Sequence, residues 1–184
     1  KTGIITFNGP TFKSFTSWGT EDAYVEFVEK FIEAKNTLGR KDDIYQTINK
    51  GTASGKLVGG NLELFTKLVT GKYNVCVQNK ILFLEELGFE ALPQVVNRNI
   101  YYLKQNGVFD KISGLWIGNY EHPSKITLEE IVLNAIGNVK FPIIKSNNFG
   151  HINQKSIIPI GAEAKIDTTK DIKIELLEEV IKSV

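Results

Sequence analysis

The sequence predicts an α/β domain built on a mixed sheet, and three observations carry that expectation. Short continuous apolar runs occur at Ile81-Leu82-Phe83-Leu84 and at Gly114–Gly118, and an apolar run of that length suits a strand buried on both faces. Between them lie stretches whose apolar residues recur three and four apart, the period of one helix face. The order of elements (strand, helix, strand, helix, strand, then several strands) allows parallel crossovers in the first half of the chain.

Residues 3–7 read as a short buried strand closed by the turn signal Asn8-Gly9-Pro10. Residues 11–20 have no clean period and read as loop. From Glu21 to about Lys35, Tyr24, Phe27, Val28, Phe31 and Ala34 make one helical stripe, with Thr20 as N-cap and Glu21 and Asp22 at the positive end of the dipole. Residues 36–60 are polar and glycine-punctuated, and are expected to be a long loop. A helix follows from Asn61 to Thr70, stopped by Gly71.

Lys80–Leu84 reads as a strand, about Leu92–Gln105 as a helix and Gly114–Gly118 as a second buried strand. Thr127-Leu128-Glu129-Glu130 is a capping box opening a helix that ends at Gly137. Phe141–Lys145, Ser156–Ile160, Ala162–Asp167 and Ile172–Leu176 read as strands, and the tail from Glu178 as a short helix.

Charge is nearly balanced, with 22 Lys plus Arg against 21 Asp plus Glu. No surplus of cations is available to neutralise phosphates or to hold an anionic membrane surface. The expected partner is therefore a small molecule or another protein surface, not nucleic acid or membrane. No stretch approaches the roughly 18 apolar residues of a membrane span. The single cysteine, Cys76, excludes an internal disulfide, favours the cytoplasm, and reads as a small buried apolar residue. The chain opens at Lys1 and enters an apolar run at once, so it is expected to be part of a longer protein.

Few residues carry chemistry. His151 follows Asn147-Asn148-Phe149-Gly150 just after a strand, where a glycine lets the backbone bend sharply into a cleft. His122 reads as an exposed loop histidine. Glu85 and Glu86 follow a four-residue apolar strand, and alternation turns one of them toward the buried face or the crevice at the strand's end. Gly59-Gly60-Asn61 leads into a helix, either as an oxyanion-binding N-terminus or as a tight turn with Asn61 as N-cap. No nucleophile elbow is present, since Gly51-Thr52-Ala53-Ser54-Gly55 has its serine one place late. Zinc spacing, a phosphate loop and a dinucleotide fingerprint are also absent, so no metal or cofactor is expected.

Taken in order, Gly9-Pro10, Gly59-Gly60-Asn61-Leu62, Ile81-Leu82-Phe83-Leu84-Glu85-Glu86, Asn106-Gly107-Val108-Phe109 and Phe149-Gly150-His151 with Ile158-Pro159-Ile160-Gly161 resemble the LD-carboxypeptidase family of serine peptidases, which includes the microcin C self-immunity proteins. The resemblance spans most of residues 1–176. It implies a two-domain hydrolase in which an N-terminal domain brings the serine and a swivelling β/β/α-type C-terminal domain, with a mixed sheet and flanking helices, brings the glutamate and histidine. Residues 1–184 resemble that second domain as one unit, with residues 1–20 as the junction and the serine-bearing domain absent.

Carried over residue by residue, the resemblance makes Glu85 and His151 the acid and base of a Ser-His-Glu triad, with Glu86 as the competing acid. Asn61 falls in the block lining the family's cleft. Gly118-Asn119-Tyr120-Glu121 is similar to a Gly-x-x-Glu element of the microcin-immunity branch, which makes Glu121 the partner of a substrate amino group. Trp18 is placed to stack on a purine. That branch also has a basic residue shortly after the triad glutamate; Leu87-Gly88-Phe89-Glu90 has none, and Ile152 stands where a hydroxyl residue is expected. The implied substrate is a microcin C-type aminoacyl-nucleotide or the L,D-peptide bond of murein tetrapeptide, with Gly118-to-Glu121 favouring the first, cleaved by a homodimer. The chain alone, lacking the serine, is expected to be inactive. A non-catalytic binding or structural domain is the alternative from another class.

Overall fold

Ile81–Glu85 is buried at every position and forms the middle strand of the main sheet. The computed structural model describes residues 3–16, 20–39, 43–73, 75–88, 91–153 and 155–182. In chain order its elements are β1 (Thr6–Asn8), α1 (Thr20–Phe27), β2 (Tyr45–Asn49), β3 (Thr52–Asn61), α2 (Leu62–Thr70), β4 (Ile81–Glu85), α3 (Pro93–Gln105), β5 (Gly114–Ile117), α4 (Leu128–Ile136), β6 (Ile143–Ser146), β7 (Ile158–Ile160), β8 (Glu163–Asp167) and β9 (Ile174–Leu176). The main sheet has the order β2-β6-β5-β4-β3-β8-β9, and β1 pairs separately with β7. Strands β3 to β6 run parallel, while β2 and β8 are antiparallel to their neighbours. The mixed α/β sheet with flanking helices is the fold class that the sequence predicts.

Two cores lie on opposite faces of the parallel strands. On one face, Leu82, Leu84, Leu115 and Ile117 pack against Phe65 of α2, Val96 and Ile100 of α3 and Val132 of α4. On the other, Ile81, Phe83, Trp116 and Ile144 pack against Phe149, Ile158 and Ile174. The period-2 alternation of β4 is thus shared between two apolar layers, which explains its unbroken apolar run. The capping box of α4 forms as its sequence requires, with Thr127 accepting from the Glu130 N–H and Glu130 accepting from the Thr127 N–H, and Gly137 ends the helix at φ 69°.

The expected loop over residues 36–60 is overturned, because β2 and β3 lie inside it. β2 is polar because it is an edge strand, paired only with β6. Gly55 and Gly59 of β3 are required by close backbone approach. A Cβ on Gly59, which has φ +141°, would lie 1.8 Å from the Phe83 carbonyl oxygen, and one on Gly55 would lie 2.4 Å from that of Asn79. β3 also serves two partners: Thr52–Lys56 pair with β8 and Leu57–Asn61 with β4.

Four smaller expectations are corrected. The buried strand expected over residues 3–7 begins only at Thr6 and is largely exposed, because it pairs with β7 outside the main sheet. The helix expected to Lys35 is α-helical only to Phe27, then widens into a π-helical turn over Val28–Ile32 that turns Lys30 inward to donate to the Thr37 carbonyl. Cys76 is exposed; Val75 and Val77 turn the other way in the alternating run, and Val77 is the buried one. The tail beyond Glu178 forms no helix among the described residues; it is tied down instead by the N–H groups of Val180 and Ile181 donating to Asn36 Oδ1.

Candidate active site

The site grows out of the end of β4. Because Ile81 and Phe83 face the second core and Leu82 and Leu84 the helices, alternation sends Glu85 away from the helices and Glu86 toward them. Both are nearly inaccessible, at 4% exposure each, yet they do different things.

Glu86 ties down the start of α2. Its Oε1 accepts from Asn61 Nδ2 at 2.7 Å and from the Leu87 N–H at 2.9 Å, and its Oε2 accepts from the Glu63 N–H at 3.1 Å. Asn61 is the N-cap of this helix, its Oδ1 accepting from the Leu64 N–H at 3.1 Å. Of the two readings of Gly59-Gly60-Asn61, the helix cap is the one realised: the Glu63 and Leu64 amides already hold protein acceptors.

Glu85 meets the histidine. Glu85 Oε2 lies 2.7 Å from His151 Nδ1. Three local features bring the loop of His151 onto the strand ends. The Asn119 N–H donates to the Phe149 carbonyl at 3.0 Å, laying that loop beside the end of β5. Gly118 leaves room for the Phe149 ring, which would lie 2.4 Å from a Cβ there. Gly150, at φ +119°, lets the backbone turn over Glu85. Below the loop, Trp116 Nε1 donates to Ser146 Oγ at 2.7 Å, and Asn148 Nδ2 donates to Asp43 Oδ2 at 2.7 Å. These buried contacts hold the segment just before His151 in one arrangement.

The His151 side chain keeps 40% of its surface exposed while Glu85 keeps 5%, so one partner is sealed and the other faces outward. The hydrogen bond that His151 Nδ1 donates to Glu85 raises the His151 pKa above its ordinary value, while burial and the charge of Lys155 oppose the rise. With Nδ1 committed to Glu85, Nε2 is the ring nitrogen left for chemistry. A cleft of about 410 Å³ opens beside the ring, lined by Asn61, Glu63, Leu64, Glu86, Leu87, Ala91, Val95 and His151.

The other expected site residues are not all gathered here. Glu121 is exposed and outside the lining of that cleft; its backbone packs on Gly88, where a Cβ would lie 1.8 Å from the Glu121 carbonyl oxygen. Trp18 lies outside the described residues. His122 stacks on Tyr120 and holds Ser124 through Nδ1, a local loop role. Sequence reasoning passed over Lys155, whose charge lowers the His151 pKa; nothing in its local sequence marks it. Among the described residues no serine hydroxyl hydrogen-bonds His151.

The family model for the LD-carboxypeptidase C-terminal domain matches residues 54–166. The chain belongs to that family. It is 27% identical over 179 residues to a probable murein peptide carboxypeptidase of Bacillus subtilis, covering 92% of this chain and 55% of that protein. It is 25% identical over 202 residues to the microcin C7 self-immunity protein MccF of Escherichia coli, covering 91% of this chain and 58% of MccF. The chain thus spans about half the length of these relatives. A structure of MccF in complex with adenosine monophosphate superposes with a TM-score of 0.81 at 21% identity, covering 99% of this chain and 63% of the other. A muramoyltetrapeptide carboxypeptidase from Oxalobacter formigenes superposes with a TM-score of 0.73 at 20% identity, covering 96% of this chain and 61% of the other. These superpositions establish a shared LD-carboxypeptidase fold. Among the described residues no helix is long and apolar enough to cross a membrane.

Proposed function

We propose that this chain is the acid–base half of a serine carboxypeptidase-type amide hydrolase, with Glu85 and His151 as two members of a Ser-His-Glu triad. The serine belongs to a separate N-terminal domain of the full-length protein, which works as a cytoplasmic homodimer. The observation that carries this reading is the 2.7 Å contact between outward-facing His151 and sealed Glu85.

The chemistry follows from the two nitrogens of one ring. A serine hydroxyl is too weak an acid to attack an amide unaided. Glu85 accepts the Nδ1 proton, so the lone pair sits on Nε2, which takes the serine proton as the oxygen adds to the carbonyl. The Nε2 proton then passes to the leaving amine as its C–N bond breaks and the acyl-serine remains. Water, deprotonated by the same nitrogen, releases the acid. Glu85 stabilises the imidazolium through both halves without itself being protonated. The raised His151 pKa supports this assignment.

The substrate we favour is the L,D-peptide bond of a murein tetrapeptide, in keeping with the name of the murein peptide carboxypeptidase among the relatives. A second reading, cleavage of a microcin C-type aminoacyl-nucleotide, is favoured by Gly118-to-Glu121, whose exposed carboxylate suits a free amino group. The test offers the full-length protein both substrates and follows the products by mass. Release of the terminal D-residue alone supports the first reading, and cleavage of the nucleotide alone supports the second. Turnover that persists in His151→Ala removes the triad assignment, and the non-catalytic binding domain then takes its place.

A further inference from the structure

The imidazole of His151 has little packing to hold it, because 40% of its side chain is exposed. Its 2.7 Å contact with Glu85 therefore depends on where the backbone of its loop stands. That loop is closed at its foot by the Ser156 N–H donating to the Asn148 carbonyl at 2.7 Å. Whatever fixes Asn148 fixes the loop.

The Asn148 side chain is buried, at 3% exposure, and is used at both ends. Its Oδ1 accepts from Ser146 Oγ at 2.5 Å, and Ser146 Oγ in turn accepts from Trp116 Nε1 of β5. Its Nδ2 donates to Asp43 Oδ2 at 2.7 Å, with the Leu38 carbonyl at 3.2 Å and the Tyr45 hydroxyl at 3.3 Å. The preceding residue adds a parallel tie, the Ile44 N–H donating to Asn147 Oδ1 at 2.9 Å. A chain of donors thus runs one way, from β5 through the asparagine to the segment entering the edge strand β2. Apolar packing around it, by Trp116, Ile144 and Phe149, has no direction of its own. The hydrogen bonds supply one, since any shift of Asn148 leaves a buried polar group without its partner. The carboxylate acceptor makes Asp43 the strongest link, and Asp43 does not line the cleft.

We propose that Asn148 is a positioning residue for the histidine base: by tying the foot of the His151 loop to Asp43, it sets the imidazole against Glu85. The effect on turnover rests on the hydrolase reading above; the hold on the ring does not.

The test exchanges the two partners in the full-length protein. Asn148→Asp sets a carboxylate against that of Asp43 and breaks the tie. Adding Asp43→Asn restores one amide and one carboxylate across the same gap. The readouts are NMR titration of His151 and steady-state kinetics on the murein-type tetrapeptide. Asn148→Asp is expected to lower kcat about tenfold to a hundredfold, as a small misplacement of a reacting group does, with KM little changed. The His151 pKa should fall toward the ordinary histidine value as the ring leaves Glu85. The direction is diagnostic, because a new carboxylate acting by charge alone would raise it. The double variant should recover most of both losses. A folded Asn148→Asp with an unchanged or raised His151 pKa overturns the positioning role, even where its urea midpoint drops. A double variant no better than the single overturns it as well. If Asn148→Asp does not fold, Asp43→Ala, at a half-exposed position, decides: its His151 pKa should fall in the same direction, and a wild-type value overturns the role. If the wild-type protein does not hydrolyse the peptide, the hydrolase reading falls, and the titrations still decide Asn148.

Discussion

Gly150 stands directly against Glu85: a Cβ built on Gly150 would lie 3.2 Å from the Cβ of Glu85. The residue before the histidine therefore touches the residue that the histidine contacts. At φ +119° the position is also one that a side chain rarely adopts. Gly150→Ala should cost about 1–3 kcal/mol through backbone strain and move the imidazole off Glu85. NMR titration of His151 checks this, with its pKa expected to fall back toward the ordinary histidine value. A pKa unchanged from wild type would mean that the loop absorbs the methyl group without moving the ring.

Glu85→Gln tests the pair by pH. The His151 pKa is raised, first by the Glu85 hydrogen bond, so protonation of the histidine favours the folded state. That contribution is complete below the unfolded histidine value of about 6.5 and is lost as pH rises through the folded-state pKa. The urea midpoint of wild type should exceed that of Glu85→Gln by more at pH ~5.5 than at pH ~9. In the full-length protein the neutral imidazole is the active form, so kcat/KM should rise with pH through the raised pKa. Glu85→Gln should move that rise to lower pH and cut the plateau by roughly 10³–10⁴-fold. An unshifted profile would show that the pair does not govern the base.

Glu86→Ala separates the two adjacent glutamates. It removes a buried carboxylate that accepts from Asn61 Nδ2 and from the Glu63 and Leu87 amides. Hydrogen bonds to charged groups contribute about 1.5–3 kcal/mol each, not additively, so a loss on the order of 3 kcal/mol is expected. Denaturant unfolding measures it. The His151 pKa should move far less than in Glu85→Gln; the opposite ranking would exchange the roles of the two residues.

Gly59→Ala should prevent folding, because its Cβ would lie 1.8 Å from the Phe83 carbonyl oxygen in the adjoining strand. No side chain can move aside there, so the loss should exceed about 4 kcal/mol. Soluble expression with native circular dichroism would contradict the close approach of β3 and β4.

What the sequence could and could not say follows from the same residues. The unbroken apolar run at Ile81–Leu84 announced a doubly covered strand, and the Thr127–Glu130 box announced α4. The geometry of Gly150-His151 was readable only as freedom to bend, because nothing local reveals that Glu85, 66 positions away in the chain, lies beneath it. The choice between Glu85 and Glu86 needed the second core, since alternation separates two adjacent residues without naming the face of each. The glycines of β3 misled because the same residue that punctuates loops also lets two backbones touch. Lys155 was silent because a lysine in a polar stretch looks like any solvated charge until its burial is known.

β3 belongs to two pairings at once, antiparallel to β8 through Thr52–Lys56 and parallel to β4 through Leu57–Asn61. Cutting the chain before Glu163 would therefore not yield a smaller stable domain. It would leave the first half of β3 as a bare edge with unpaired backbone groups, which templates association between copies. Guarding that edge is a task of residues 163–184 as real as any contact they make.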